Sequence, residues 1–169
     1  MKYLSLFSLC LFLAGCGYSI AASPYGLAEP LVLSVPIAVN HSSYGDLGPR
    51  LTREIIGRLD SSSNITIRED APATLRLTLT RVMVSGGAWV RERNEYDLPT
   101  GSASRVVNLT VEAMLEKGDA PAQRRTFSGL RNFYVNEDES QTRLLEDEAF
   151  AWVLSELAQN IAQTFFAEF

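Results

Sequence analysis

Trp89, Arg91 and Arg93 alternate along the chain, so that in an extended backbone their side chains share one face, with Glu92 on the other. An arginine guanidinium pairs with phosphate through two parallel hydrogen bonds, and a tryptophan ring packs against apolar groups. The three residues therefore indicate a contact for a ligand that is apolar at one end and phosphorylated at the other. In the competing interpretation Trp89 covers a sheet, and the arginines pair with their acidic neighbours Glu92, Glu95 and Asp97.

A second basic run consists of Arg124 and Arg125, with Arg131 further along the same segment. It begins a neighbouring strand and would extend such a phosphate-binding patch. The alternative is an ordinary solvated strand end, because charged residues at strand ends usually face water.

Residues that could perform catalysis are scarce. His41 is the only histidine, so neither a Ser-His-Asp triad with a free base nor a histidine-rich metal site is available. Ser42 and Ser43 beside it are interpreted as parts of a solvated loop. The acidic clusters at 137–139 and 146–148 lack the alternating oxygen ligands and central glycine of a calcium loop. We therefore predict no catalytic residue, no metal site and no cofactor, and we do not expect an enzyme.

The first residues have the pattern of a targeting segment. Lys2 precedes an apolar run from Leu4 to Leu13. This run is shorter than the about 20 residues that cross a bilayer as a helix. Its length and flanks are typical of a secretory signal peptide.

Leu13-Ala14-Gly15-Cys16 resembles the lipobox of bacterial lipoproteins, in which the cysteine thiol receives a diacylglycerol and the chain is cut before it. The resemblance implies a signal peptide over 1–15, acyl chains such as palmitate on Cys16, and a lipidated N-terminus and tether over 16–30. Gly17 stands where an inner-membrane retention signal would carry Asp, which implies the periplasmic face of the outer membrane. The alternative is a plain signal peptide with an incidental cysteine.

Composition restricts the remaining chain, which we predict to be one domain over 31–169. The sequence has 169 residues, 46% of them hydrophobic, and a net charge of −5 at pH 7. An acidic protein is not a general nucleic-acid binder, so any anionic partner must meet a local basic patch. Cys10 and Cys16 are the only cysteines, so the predicted processing would leave no thiol for a disulfide.

Alternating apolar and polar residues predict five strands. They are Leu31–Val39, Ile65–Ile67, Leu75–Val84, Val107–Leu115 and Gln123–Val135. The apolar residues of the first strand share one face, and Pro36 places this strand at an edge or bulge. The last strand is predicted to have an irregularity at Gly129. Ser85-Gly86-Gly87 is predicted to end the third strand, so that 86–97 forms a loop.

Helical spacing predicts two helices. The first begins near Pro49 and runs through Asp60, and the second is a long amphipathic helix from Glu137 to Phe169. The order of elements predicts an α+β sandwich, with two helices on one face of a mostly antiparallel sheet of four to five strands.

The order of these segments resembles the LPS-assembly lipoprotein family (LptE), in a divergent form. The resemblance covers nearly the whole chain after the lipobox and is carried by order and spacing. Its pieces are Cys16-Gly17-Tyr18, Val35–Asn40, Leu51–Glu54, Ala73–Leu77, Asn108–Val111, Phe127–Gly129 and Tyr134, ahead of the closing helix.

The family resemblance implies a small lipid-anchored plug inside the outer-membrane β-barrel that assembles lipopolysaccharide (LPS). Such a plug helps the barrel to fold and assists delivery of LPS to the cell surface. The implied partners are that barrel protein, LPS and the membrane, without nucleic acid. We expect the contact to LPS or to the barrel at Trp89, Arg91 and Arg93, with Arg124 and Arg125 as its extension.

Three other lipoprotein classes remain as alternatives. Activators of penicillin-binding proteins share a similar first strand and helix, but they have longer tethers than the about 12 residues here, which reach roughly 40 Å. Pilotins and barrel-assembly accessory lipoproteins are the others. Each class predicts a different protein in a pull-down from solubilised membranes.

Overall fold

The computed structural model of the protein describes residues 30–62, 64–93, 99–135 and 138–166, with the backbone alone over 87–93 and 99–102. The predicted signal peptide, Cys16 and nearly all of the predicted tether lie outside the described residues.

Six strands and two helices make up the described part of the chain. In chain order they are β1 (Leu31–Ser34), β2 (Val39–Asn40), α1 (Leu47–Asp60), β3 (Ile65–Ile67), β4 (Ala73–Arg93), β5 (Pro99–Lys117), β6 (Gln123–Val135) and α2 (Glu139–Phe166).

The strands form one sheet in the order β3-β1-β4-β5-β6, with β2 also paired to β4. β4, β5 and β6 are antiparallel neighbours, whereas β1 and β2 run parallel to β4, and β1 runs parallel to β3. The predicted α+β sandwich is confirmed. The sheet has one strand more than predicted. It also contains more parallel pairs than predicted, because α1 is a crossover, and strands joined by a helical crossover run parallel.

Pro36 separates β1 from β2. Ser34 pairs with Thr74 of β4, and Val39 pairs with Thr78. The segment from Ser34 to Val39 therefore contains one residue more than the segment of β4 that lies opposite to it. The interruption expected at Pro36 is present, because proline cannot donate a hydrogen bond to the ladder.

The extra residue exchanges the two faces of the strand, since side chains alternate with a period of two. Leu33 and Ala38 are buried, whereas Ile37 is 69% exposed and Val39 is 48% exposed. The prediction that Ile37 and Val39 share a face with Leu33 is therefore wrong.

β4 contains a bulge that preserves its core face. A register shift between Leu79 and Arg81 leaves Thr80 without an opposite residue on β5. Leu79 and Val82 consequently both pack toward the core, although they are three residues apart. The Thr80 hydroxyl donates a hydrogen bond to the carbonyl oxygen of Thr110 over 3.3 Å.

β4 also continues into the segment 86–97 that the sequence predicts as a loop. A second register shift lies between Gly86 and Trp89, and pairing with β5 then resumes as far as Arg93. The prediction that Ser85-Gly86-Gly87 ends the strand is therefore wrong. A bulge leaves a residue unpaired without ending the strand.

Both helices pack on the same face of the sheet, which we call the covered face. α1 and α2 contribute to one continuous core with the inward residues of β4 and β5. Every predicted core position of α2 is buried. These positions are Phe150, Val153, Leu154, Leu157, Ile161 and Phe165.

Gly129 of β6 lies beneath α2 and pairs with Leu109 in an unbroken register, so the irregularity predicted there is absent. A Cβ atom at this position would lie 2.9 Å from Cγ1 of Val153 and 3.4 Å from Cγ of Leu157. The glycine therefore allows the helix to approach the strand closely.

Candidate functional site

The predicted ligand contact lies on the last part of β4. Trp89 pairs with Ala103 of β5, and Arg91 pairs with Gly101. Arg93 is the last described residue of the strand. The side chains of Trp89, Arg91 and Arg93 lie outside the part of the chain that the structure describes, so their contact with a ligand stays a prediction.

Arg124 and Arg125 lie at the other end of the sheet. Arg124 pairs with Met114, and about 11 residues of β5, or about 36 Å at ~3.3 Å per residue, separate Met114 from the residue opposite Trp89. The structure therefore does not bring the two arginine groups into one patch. Arg124 Nε lies 3.5 Å from a carboxylate oxygen of Glu112, as expected of a solvated strand end.

A groove between β6 and α2 was not predicted from the sequence. It has a volume of about 590 Å³ and is lined in part by Arg131, Tyr134, Glu148 and Trp152. The guanidinium carbon of Arg131 lies 4.6 Å from the centre of the Trp152 ring, a distance at which a cation is attracted to an aromatic face. Two residues of the sequence point to this groove: Arg131 of the second basic run, and Trp152, a large aromatic residue off the buried stripe of its helix.

The register places this groove at the same end of the sheet as Trp89. Ala103 pairs with Trp89 on one side and with Val135, the neighbour of Tyr134, on the other. Tyr134 is 62% exposed and Trp152 is 44% exposed. The Trp152 ring beside the Arg131 guanidinium suits an apolar group with an attached anion, so Arg131 is better placed than Arg124 to extend a contact at Trp89.

The predicted loop around His41 is a hydrogen-bonded turn with an exposed histidine. The Asn40 side-chain oxygen accepts a hydrogen bond from the Ser42 backbone N–H over 3.0 Å. The Ser42 hydroxyl accepts another from the Tyr44 backbone N–H over 3.2 Å. The Ser42 hydroxyl thus contributes to the shape of the turn.

Tyr44 connects this turn to α2. Its ring centroid lies 5.0 Å from that of Phe150, and its hydroxyl donates a hydrogen bond to Glu146 over 3.5 Å. Burial, and then the negative charge of Glu146, raise the pKa of the Tyr44 hydroxyl above its usual value. The side chain therefore stays neutral and packed over the range in which proteins are usually handled.

Arg50 makes the corresponding connection from α1. Its guanidinium lies 2.5 Å from a carboxylate oxygen of Asp147 and 3.3 Å from one of Asp46. Burial lowers the pKa of Arg50, but the hydrogen bonds and charges of Asp147 and Asp46 outweigh burial and raise it. The cluster holds the two helices together.

The face of the sheet opposite the helices, which we call the open face, carries no helix in the described part of the chain. Ion pairs and hydroxyl groups cross its strands. Arg76 Nε lies 3.1 Å from Glu116 on the neighbouring strand, and the hydroxyl groups of Thr110 and Ser128 lie 3.2 Å apart. A small cavity of about 130 Å³ lies on this face, beside the exposed Ile37 and Val39.

No group of three or more His, Cys, Asp or Glu side chains within the described ranges is arranged to hold a metal ion. Neither of the two described helices has the length and apolar character needed to cross a bilayer.

No family model matches this chain, and no curated protein matches it. Solved structures share its fold. One is a protein from Xanthomonas campestris, with a TM-score of 0.53 and 13% identity over 82% of this chain and 87% of that one. A candidate lipoprotein from Caulobacter crescentus CB15 has a TM-score of 0.50 and 14% identity over 80% and 88% of the two chains. Rare lipoprotein B from Shewanella oneidensis has a TM-score of 0.46 and 16% identity over 79% and 96%. The two structures with TM-scores of 0.53 and 0.50 share the fold of this chain, and identities this low indicate nothing finer.

Proposed function

We propose that the protein is an outer-membrane lipoprotein, anchored through acyl chains on Cys16 with its domain on the periplasmic side. It assists lipopolysaccharide assembly by plugging the LPS-assembly β-barrel and helping that barrel to fold. It acts by fitting against other molecules, without a cofactor and without catalysis. The lipobox of the sequence supports the anchor, as does a fold shared with a candidate lipoprotein.

The open face of the sheet is the observation that carries this proposal. The covered face is packed by the two helices, so the core does not need the open face for burial. Threonine, serine and paired charges on the open face, among them Arg76 with Glu116, suit the hydrated inner wall of a large barrel. An isolated domain gains little from these exposed ion pairs, each of which contributes about 0–1 kcal/mol.

The test is affinity purification of the full-length protein from membranes solubilised in mild detergent. We expect one outer-membrane β-barrel protein in a near-equal amount, and mass spectrometry should find acyl chains on Cys16. A Cys16→Ala variant should carry no acyl chain and should keep residues 1–15, because the thiol that starts the processing is absent. Recovery of a murein synthase or a secretin in place of the barrel, or an unacylated N-terminus, would contradict the proposal.

LPS contact is the finer part of the proposal. Because the two arginine groups lie at opposite ends of the sheet, they can be tested separately. We expect an Arg91→Glu/Arg93→Glu variant to capture less LPS in a binding assay. An Arg124→Glu/Arg125→Glu variant is the matched control with the same change in charge. Equal capture by both variants would remove the role of Arg91 and Arg93.

A further inference from the structure

β4 loses its neighbours on one side half-way along its length. β1 and β2 pair with it from Ala73 to Leu79 only. From Arg81 onward β5 continues on the other side as far as Arg93. Within the ranges that the structure describes, no strand pairs with the outer edge of β4 over 81–93.

A free strand edge specifies the chemistry of what it binds. Alternate residues of an edge strand direct both their N–H and their C=O away from the neighbouring strand. These donors and acceptors recur at strand spacing, so an extended polypeptide segment can satisfy them in register, as in strand addition. A helix presents no backbone groups at that spacing.

The side chains along 81–86 leave this edge accessible. Val82 and Val84 pack against the core, while Met83 is 39% exposed on the open face. Arg81 is the one charged residue of this stretch, and β4 contains no proline. Charges, prolines and β-bulges are the usual devices that prevent edge pairing, and the two bulges of β4 lie on either side of 81–86 and not within it.

β6, at the opposite edge of the sheet, provides a direct comparison. It carries Arg124, Arg125 and Arg131, and α2 packs beside it. Met83 of β4 and Leu130 of β6 both pair with Asn108 of β5, which lies between them, so the two residues are at the same level of the sheet. One apolar residue can therefore be changed on each edge, at the same level of the sheet.

We propose that residues 81–86 of β4 form a strand-addition site, at which an extended segment of the partner protein joins the sheet. The inference rests on the proposed function, under which that partner is the LPS-assembly barrel protein. The inference adds a mode of contact to the proposed function. The partner would form backbone hydrogen bonds along the edge of β4, in addition to side-chain contacts across the open face.

The experiment places a photo-crosslinking amino acid at position 83 or at position 130 of the full-length protein in cells. We expect a cross-link from position 83 to a single short segment of one partner polypeptide, whereas position 130, which also lies on the open face, should cross-link to different segments. Hydrogen exchange on the purified complex should show protection of the amides of 81–86 relative to the free protein. A Met83→Lys variant should lower recovery of the partner at least tenfold, while a Leu144→Lys variant, at an exposed residue of α2 on the other side of the sheet, should not.

The outcomes separate this inference from the proposed function. Co-purification of the barrel with 81–86 still unprotected would overturn strand addition and leave the plug intact. Protection of 81–86 with cross-links to a murein synthase would support strand addition and contradict the plug. Cross-links from position 83 to a second copy of this chain would overturn the inference in favour of edge-to-edge dimers. Thermal melting of both lysine variants establishes that each is folded.

Discussion

β5 presents two different surfaces to the two sides of the sheet. Val107, Leu109 and Val111 face the helices and are fully buried, whereas the alternating Thr110 and Glu112 lie on the open face and remain partly exposed. The same stretch of backbone therefore supplies the core on one side and a polar surface on the other. The difference indicates that stability depends on the covered face, which leaves the open face available for interaction.

The largest effect is expected from truncating the covered face. Leu109 has no exposed surface, so Leu109→Ala should lower the free energy of unfolding by about 2–5 kcal/mol through lost burial and the cavity left behind. Its neighbour provides the control, because Thr110→Ala removes a hydroxyl and a methyl group from the open face and should cost less than about 1 kcal/mol. Urea denaturation of both variants measures the difference. Equal losses would mean that the two faces contribute alike.

Overpacking the covered face should cost somewhat less. At Gly129, an added side chain would meet Val153, so that Gly129→Leu must push α2 away from β6. We expect a loss of about 1–3 kcal/mol, seen as a lower melting temperature. Ser128→Leu on the open face is the matched control and should melt close to the unchanged protein. If the Gly129 variant melts normally, the close approach of α2 is not important for stability.

Much of this covered face follows from the sequence. The stripe from Phe150 to Phe165 is long and strictly helical in its spacing, and β5 alternates without a break from Val107 to Leu115. Long, regular patterns identify both an element and its buried side, because each buried position is separately favoured by burial. The fold class was accordingly predictable.

Two of the wrong predictions occur where one residue shifts a register. The bulge after Pro36 turns Ile37 outward, and the bulge near Gly86 continues a strand where a break was predicted. A one-residue shift leaves composition unchanged but reverses which side chains face the core.

Register also decides which distant residues meet. It places Arg131 at the end of the sheet that carries Trp89 and leaves Arg124 at the other. The contact of Arg131 with Trp152 joins a strand to a helix, and no local pattern marks such a pair.

A third prediction tests how the chain is held where it changes faces. The Thr52 hydroxyl of α1 accepts a hydrogen bond from the Ala38 N–H over 2.8 Å and donates one to the carbonyl oxygen of Gly48 over 3.1 Å. Thr52→Val keeps the shape of the side chain but leaves the buried Ala38 N–H without this acceptor. We expect a loss of about 1–3 kcal/mol. Hydrogen exchange should also show faster exchange of the Ala38 amide, whereas an unchanged rate would mean that another group protects it.

The smallest effect is expected from the ion pairs of the open face. Arg76 and Glu116 lie 3.1 Å apart on adjacent strands, and both side chains are more than a third exposed. Water screens such a pair, so a double-mutant cycle with Arg76→Ala and Glu116→Ala should give a coupling energy of about 0.2–1 kcal/mol that falls with added salt. The same double-mutant cycle can be measured on binding of the partner protein, which tests whether the open face is an interface. If the open face is an interface, each single variant should weaken partner binding by more than it changes folding stability. A coupling energy above about 2 kcal/mol in the free protein would instead make the pair part of what holds the sheet together.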